Sequence, residues 1–243
     1  MALISDLTTR ISTPEIMDQP GLDAERHRAA LTGLGRINSV SRSANILWPP
    51  IAAAAQTNSK LTILDVACGG GDIAVALSQK AKKHGLAVRI DGCDISSIAL
   101  EFARQNARRA ELDVRFFQAD VINEPIPTGY DIIICSLFLH HLSEPQAIRF
   151  LRGIGKAAKE MVIVQDLRRS RLGLMLAHLA GRVLTRSDVV RNDGPASVRA
   201  AFTVKEAKSL AERAKLEDAI FTRHWPCRWR MVWEAPLLHP ERP

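Results

Sequence analysis

From Lys60 onward, short apolar runs alternate with amphipathic stretches, which is how a parallel sheet with crossover helices is written in sequence. The pattern predicts a strand over Leu61 to Val66, a helix over Asp72 to Lys83 ended at Gly85, a strand over Val88 to Cys93 and a helix over Ser97 to Ala110. A second half follows, with strands over Val114 to Gln118, Tyr130 to Cys135 and Met161 to Gln165. A helix begins near Ser143, where Gln146 completes a capping box and Pro145 occupies the first turn. After Asp166 the alternation stops. Residues 168–203 predict a lid-like insertion holding an apolar helix around Leu172 to Leu184 and then a turn at Asn192-Asp193-Gly194-Pro195. Thr203 caps a helix through Leu210 and Ala214, and runs over Asp218 to His224 and Arg228 to Trp233 predict a hairpin across Pro226 and Cys227.

Residues 1–59 read as an all-helical cap and residues 60–243 as the main domain. In the cap, Asp23 starts a helix through Leu31 and Ile37, and a segment from Ser41 to Trp48 is expected to break at Pro49 and Pro50. The 243-residue chain is 47% hydrophobic and 24% charged, an ordinary globular composition without low-complexity tracts. No apolar run approaches the roughly 18 residues of a membrane span, and no leader pattern is present, so cytoplasmic residence is expected. Cys68, Cys93, Cys135 and Cys227 lack metal-ligand or disulfide spacing and read as reduced core thiols, and no metal-ligand set is expected. Net charge is +7, with the basic excess confined to the last third, which opens nucleic acid, an acidic substrate or a solvated surface.

Chemistry concentrates in LDVACGGGD, Leu64 to Asp72, where a strand runs into glycines and then a helix. Gly69 and Gly71 permit conformations and contact distances that a side chain would block, and the helix amides behind them offer donors to a polar ligand. Asp94, ending the next strand in DGCDIS, is placed to accept both hydrogen bonds of a ribose diol. Gly69-x-Gly71-x-x-Ala74 also satisfies a relaxed dinucleotide fingerprint, so these residues alone leave adenosyl and dinucleotide cofactors both open.

Four ordered segments carry a resemblance to the class I S-adenosylmethionine-dependent methyltransferases over about residues 60–235: LDVACGGGD, the acid Asp94, FFQADV with Asp120, and DIIICSLFLHHL. HHL and the later VIVQDLRRS resemble the small-molecule group related to ubiquinone and menaquinone biosynthesis, and the EIMDQPGLD preface resembles methyltransferases of natural-product clusters. The resemblance implies a Rossmann-like, seven-stranded, mostly parallel α/β sheet with an antiparallel C-terminal strand. It implies S-adenosyl-L-methionine as cofactor, released as S-adenosyl-L-homocysteine. Its methionine portion would lie on the loop from Asp65 through Ala67, Cys68 and Gly69 to Gly71, with backbone near Ser136 at the amino group. Asp94 would take the ribose, Ile95 would cover the adenine, and Asp120 with the Val121 amide would address its edge. Ala67 departs from the family, which usually has Gly there.

The expected acceptor is a small aromatic, polyketide- or quinone-like molecule, with O- or C-methylation open and homodimerisation undecided. His140 and His141 follow the fourth strand and are candidate bases for a phenol or enol. Asp166 ends a strand at the same edge with its role open, while His178 and the Trp229-Met231-Trp233 alternation read as packing, and Trp225 is grouped with them. The Arg168, Arg169 and Arg171 cluster reads as solvated. The alternatives are an RNA methyltransferase, disfavoured by the absence of any RNA-binding module, and a non-catalytic or nicotinamide-binding Rossmann-like protein.

Overall fold

The computed structural model describes residues 7–19 and 21–236. Seven strands form one sheet: β1 (Leu61–Val66), β2 (Val88–Asp94), β3 (Arg115–Gln118), β4 (Ile132–Ser136), β5 (Met161–Leu167), β6 (Ile220–His224) and β7 (Arg228–Glu234). Their order is β3-β2-β1-β4-β5-β7-β6, with β1 to β5 parallel and β7 antiparallel to both β5 and β6. The expected Rossmann-like sheet with an antiparallel C-terminal strand is therefore present.

Strand alternation divides the core. Leu64, Val66, Ile133, Cys135, Val162 and Val164 face one side, where α5 (Glu144–Ala157) and α8 (Val204–Arg213) bury Phe150, Ile154 and Leu210 against them. Leu61, Ile63, Ile132, Ile134 and Ile163 face the other, covered by α2 (Ser43–Thr57), α3 (Asp72–Lys83) and α4 (Ser97–Arg109) through Leu47, Ile51, Leu77 and Leu100. All four cysteines are buried free thiols. The capping boxes at Ser143 and Thr203 both form, and Asp23 caps α1 (Ala24–Val40) by accepting from the Glu25 and Arg26 amides.

Two expected interruptions are absent. α2 runs straight through Pro49 and Pro50 instead of ending at Trp48. Pro50 has no N–H for the Ile46 carbonyl one turn earlier, and Arg230 of β7 supplies the missing donor at 2.7 Å, so the sheet restores what the proline removes. Likewise Asn192 to Pro195 is not a turn; α6 (Arg171–Val183) is followed by one continuous helix, α7 (Asp188–Ala200). Its start is fixed by the Ser187 cap and its apolar face by buried Val189, Val190 and Val198, and this tertiary burial overrides local turn propensity. Tyr130, expected in a strand, lies before β4 with its hydroxyl donating to Asp91 at 2.8 Å.

Arg230→Ala should destabilise the protein by about 1–3 kcal/mol in chemical denaturation, because the Ile46 carbonyl loses its donor. In a Pro50→Ala background the regained peptide N–H should make the same substitution cheaper. Equal costs in both backgrounds would refute the compensation.

Candidate active site

Strand order reverses between β2 and β4 on either side of β1, and at this switch point the loops leaving the carboxyl ends diverge. A cavity of about 940 Å³ opens there. It is lined by the loops after β1, β2, β3 and β4, by α1, α6 and α7, and by the N-terminal strap around Glu15 to Asp18. That volume stands at the upper end of the ~300–1,000 Å³ of small-molecule sites, enough for a cofactor and a second reactant.

At one end lies the glycine loop. Gly69 has φ +50° with nothing within 4 Å of where a Cβ would stand, so it offers bare backbone to the cavity. Gly71 serves differently from the expectation. It does not line the cavity, and at φ +70° a Cβ there would lie 2.7 Å from Ala103 Cβ and 2.8 Å from the Phe116 ring, so it is the packing glycine beneath the loop. Ala67 sits in left-handed backbone at φ 54°, the position where the resembled family has Gly. Asp94 Oδ2 accepts from the Gly69 amide at 2.8 Å and Oδ1 from the Ser96 amide at 2.9 Å, which ties the loops after β1 and β2 together and leaves a further lone pair on each oxygen. Cys68, Ile95, Val121 and Ser136 also line the cavity. Asp120 lines it too, although its carboxylate already accepts from the Ile122 and Asn123 amides and the Asn123 side chain.

Asp65 is the electrostatic anomaly. It is 1% exposed, and its Oδ2 has no hydrogen-bond partner among the described residues. Burial, then the nearby Asp72 and Asp94 carboxylates, push its carboxyl well above the usual range. Burial also raises Asp94, against the two amides that hold it. A buried carboxyl with an unpartnered oxygen and no counter-ion is ionised only when a ligand brings positive charge or hydrogen-bond donors to it.

At the other end stand the histidines. A 3₁₀ turn, Leu139–His141, follows β4 and carries both. His140 is buried; its Nδ1 lies 2.6 Å from Asp166 Oδ1, and its backbone N–H donates to Asp166 Oδ2 at 2.9 Å. Asp166, open in role from sequence, therefore holds this ring's tautomer and position. Burial would raise the Asp166 carboxyl, but His140 holds it below the ordinary value. His141 Nδ1 lies 2.8 Å from Asp18 Oδ2. Burial would lower the His141 imidazole, yet the Asp18 hydrogen bond and Glu15 raise it to about 9. Glu15 approaches both rings, 3.7 Å from His140 Nε2 and 3.9 Å from His141 Nε2.

Glu15 and Asp18 were not singled out in the sequence, since no spacing relates the preface to residues 140–166. The strap is placed by tertiary bonds: Asp193 of α7 accepts from the Ile16 and Met17 amides at 3.0 Å, and Ser197 donates to Glu15. Arg10 Nη2 donates to the His140 and Leu142 carbonyls, both at 2.7 Å, fixing the turn.

Of the arginine cluster, Arg171 is exposed as the solvated reading expects, whereas Arg169 departs from it. Arg169 is buried and donates to the Leu7 and Ala201 carbonyls and to Glu206. Arg168 Nε and His178 Nε2 are buried without a partner among the described residues. Trp229 and Met231 are core, whereas Trp225 stands 73% exposed at the cavity, apart from them.

Residues 63–160 match the model of a family described as methyltransferase domain. A demethylmenaquinone methyltransferase of Deinococcus radiodurans is 33% identical over 99 residues, 40% of this chain and 39% of that one. A ubiquinone biosynthesis O-methyltransferase of Photorhabdus laumondii is 34% identical over 88 residues, 35% of this chain and 34% of that one. The chain thus spans between a third and two fifths of the curated relatives' length. Among solved structures, the S-adenosylmethionine-dependent methyltransferase SibL superposes with TM-score 0.64 at 22% identity, over 93% of this chain and 64% of that one. Magnesium protoporphyrin IX methyltransferase of Synechocystis PCC 6803 with bound S-adenosylhomocysteine gives 0.60 at 16% identity, over 90% of this chain and 96% of that one. Residues 63–160 thus carry a methyltransferase domain, and the fold is the one shared by S-adenosylmethionine-dependent methyltransferases of known structure.

Because its folded-state carboxyl is raised, Asp65 binds its proton more tightly folded than unfolded, so it costs stability as pH rises above the unfolded carboxylate value near 4. Asp65→Asn should therefore raise the denaturation midpoint at pH 7 and lose that advantage as pH falls towards 4. A gain that is the same at both pH values would contradict the assignment.

Proposed function

We propose that the chain transfers a methyl group from S-adenosyl-L-methionine to an oxygen or carbon of a small, apolar acceptor of aromatic, polyketide or quinone-like character, leaving S-adenosyl-L-homocysteine. The carrying observation is one chamber with an uncompensated carboxylate at the glycine-loop end and an oriented histidine pair at the other. The names of the relatives, which include ubiquinone biosynthesis O-methyltransferases, support the acceptor class. So do the apolar walls contributed by Leu34, Ile37, Leu176 and Val183.

Bound S-adenosylmethionine supplies a methyl carbon already activated on a sulfonium, so the protein aligns, shields and moves a proton. Asp94 accepts from the ribose hydroxyls with the lone pairs its two amides leave free, and Ile95 covers the adenine. Asp65 faces the cationic methionine portion with its unpartnered Oδ2, and the bare backbone at Gly69 allows close approach. Asp120 and Val121 address the adenine edge, with Ala67, Cys68 and the backbone at Ser136 completing the methionine side. With its Nδ1–H on Asp166, His140 keeps the Nε2 lone pair for the acceptor's hydroxyl proton, and Asp166 stabilises the imidazolium that forms. The freed oxygen pair bonds to the methyl carbon while the carbon–sulfur pair returns to sulfur. His141 stands beside His140, rings 4.4 Å apart, at the same acceptor end.

An RNA substrate draws its case from the basic last third. Part of that charge is internal: Arg169 and Arg228 are buried, and Arg191 and Arg230 donate to backbone carbonyls.

Parallel calorimetric titrations with S-adenosylhomocysteine, S-adenosylmethionine and NAD test the reading. Micromolar binding of the adenosyl ligands alone, lost in Asp94→Ala, is the expected result, and binding of NAD alone would overturn it. With an oxygen acceptor, His140→Ala should lower turnover about 10²–10⁴-fold while S-adenosylhomocysteine affinity holds. Undiminished turnover would remove His140 as the base.

A further inference from the structure

Two features of the histidine end go beyond a proton acceptor. Each ring is backed by its own carboxylate at Nδ1, His140 by Asp166 at 2.6 Å and His141 by Asp18 at 2.8 Å. That is the outer-shell arrangement which fixes a metal-ligating histidine, with Nε2 left as the donor. Both Nε2 atoms then converge on the carboxylate of Glu15, and one donor atom from each of the three residues lies within 4.8 Å of the other two. The separations of 3.7 and 3.9 Å from Nε2 to the Glu15 oxygens are too long for hydrogen bonds. They are slightly wider than the roughly 3.3 Å between neighbouring ligands of a tetrahedral ion with bonds of about 2.0–2.1 Å.

Charge and anchoring agree with this geometry. Glu15, Asp18 and Asp166 place three carboxylates around two imidazoles, surroundings that accommodate positive charge between the rings. All three donors are held from behind: Glu15 by Ser197, the turn bearing both histidines by Arg10. We propose that Glu15, His140 and His141 form a mononuclear site for a divalent transition metal, with its open positions facing the acceptor chamber. Two imidazoles and one carboxylate suit Zn²⁺, Co²⁺, Fe²⁺ or Mn²⁺ over Ca²⁺ or Mg²⁺. Three protein donors leave coordination positions for an exogenous ligand.

The consequence for substrate rests on the methyl-transfer reading. The favoured acceptor presents an ionisable oxygen, a phenol or an enol, which the ion binds and whose proton passes to solvent. In the metal-loaded protein the histidine pair ligates, and the role of base assigned to His140 belongs to the metal-free state.

The test uses the full chain, stripped with a chelator and titrated with Co²⁺ while visible absorption is followed, then challenged with Zn²⁺. One equivalent of Co²⁺ should develop a d–d band that Zn²⁺ abolishes. Glu15→Gln and His141→Ala should remove the band while far-ultraviolet circular dichroism is unchanged. Asp18→Ala, which removes only the outer-shell partner, should weaken Co²⁺ binding about 10–100-fold. A missing band, or one that survives both Glu15→Gln and His141→Ala, overturns the site. S-adenosylhomocysteine calorimetry on the same stripped sample separates the two readings. Cofactor binding without the Co²⁺ band defeats the metal and leaves methyl transfer standing, and the band without cofactor binding does the reverse.

Discussion

Everything at the site depends on the reversal of winding at β1. This strand is bonded to β2 on one edge and β4 on the other, and the helices that follow it and β4 pack on opposite faces of the sheet. Chain leaving β1 turns towards α3, and chain leaving β4 turns towards α5, so backbone cannot fill the space between them. The Asp94 carboxylate stiffens that gap by accepting from amides of the loops after β1 and β2. From the far side Asp166, at the end of β5, reaches under the β4 turn and grips His140 by ring and backbone. Both halves of the site are thus anchored to the most buried strands of the protein, and only their covers come from elsewhere.

The parts written as local pattern were legible in the sequence. β1 and α3 fall at their expected bounds because an apolar run, a glycine turn and a capped amphipathic helix each carry their own signal. The two misread segments share a cause: Pro49–Pro50 and Asn192–Pro195 are breakers by local propensity, yet both lie inside helices held by distant groups. Arg230 meets the carbonyl that Pro50 leaves without a donor, and Asp193 turns its carboxylate to the strap amides instead of to a turn of its own. Gly71 looked like a ligand contact because glycine permits both close approach of a ligand and close approach of a neighbouring side chain, and a sequence does not distinguish them.

The strap was illegible for a related reason. Glu15 and Asp18 lie more than 120 residues from the histidines they face, and no periodicity spans that distance. What places them is a set of buried or half-buried polar bonds: Asp193 to the strap amides, Ser197 to Glu15, and Arg169 to the carbonyl of Leu7. The arginine excess of the last third, ambiguous as a charge count, is partly the hardware of this attachment. A guanidinium offers several donors in a fixed fork, which suits it to gathering orphan carbonyls from segments distant in sequence.

The distribution of charge gives the proposed chemistry a direction. Asp65 and Asp94 place two carboxyl groups at one end, and Glu15, Asp18 and Asp166 place three around the histidines at the other. Before methyl transfer to a hydroxyl, positive charge resides on the sulfonium, beside the first group. In the proposed transfer by the metal-free protein, the sulfur would then be a neutral thioether and the positive charge a proton at the histidines, beside the second. In that proposal, carboxyl groups held at both ends bracket the displacement of charge. In the proposed reaction, a chamber with carboxyl groups at one end alone would serve either the cofactor or the released proton, whereas groups at both ends serve both. That symmetry ties the orphaned Asp65, deep in β1, to a strap whose acids the fold brings from the other end of the chain.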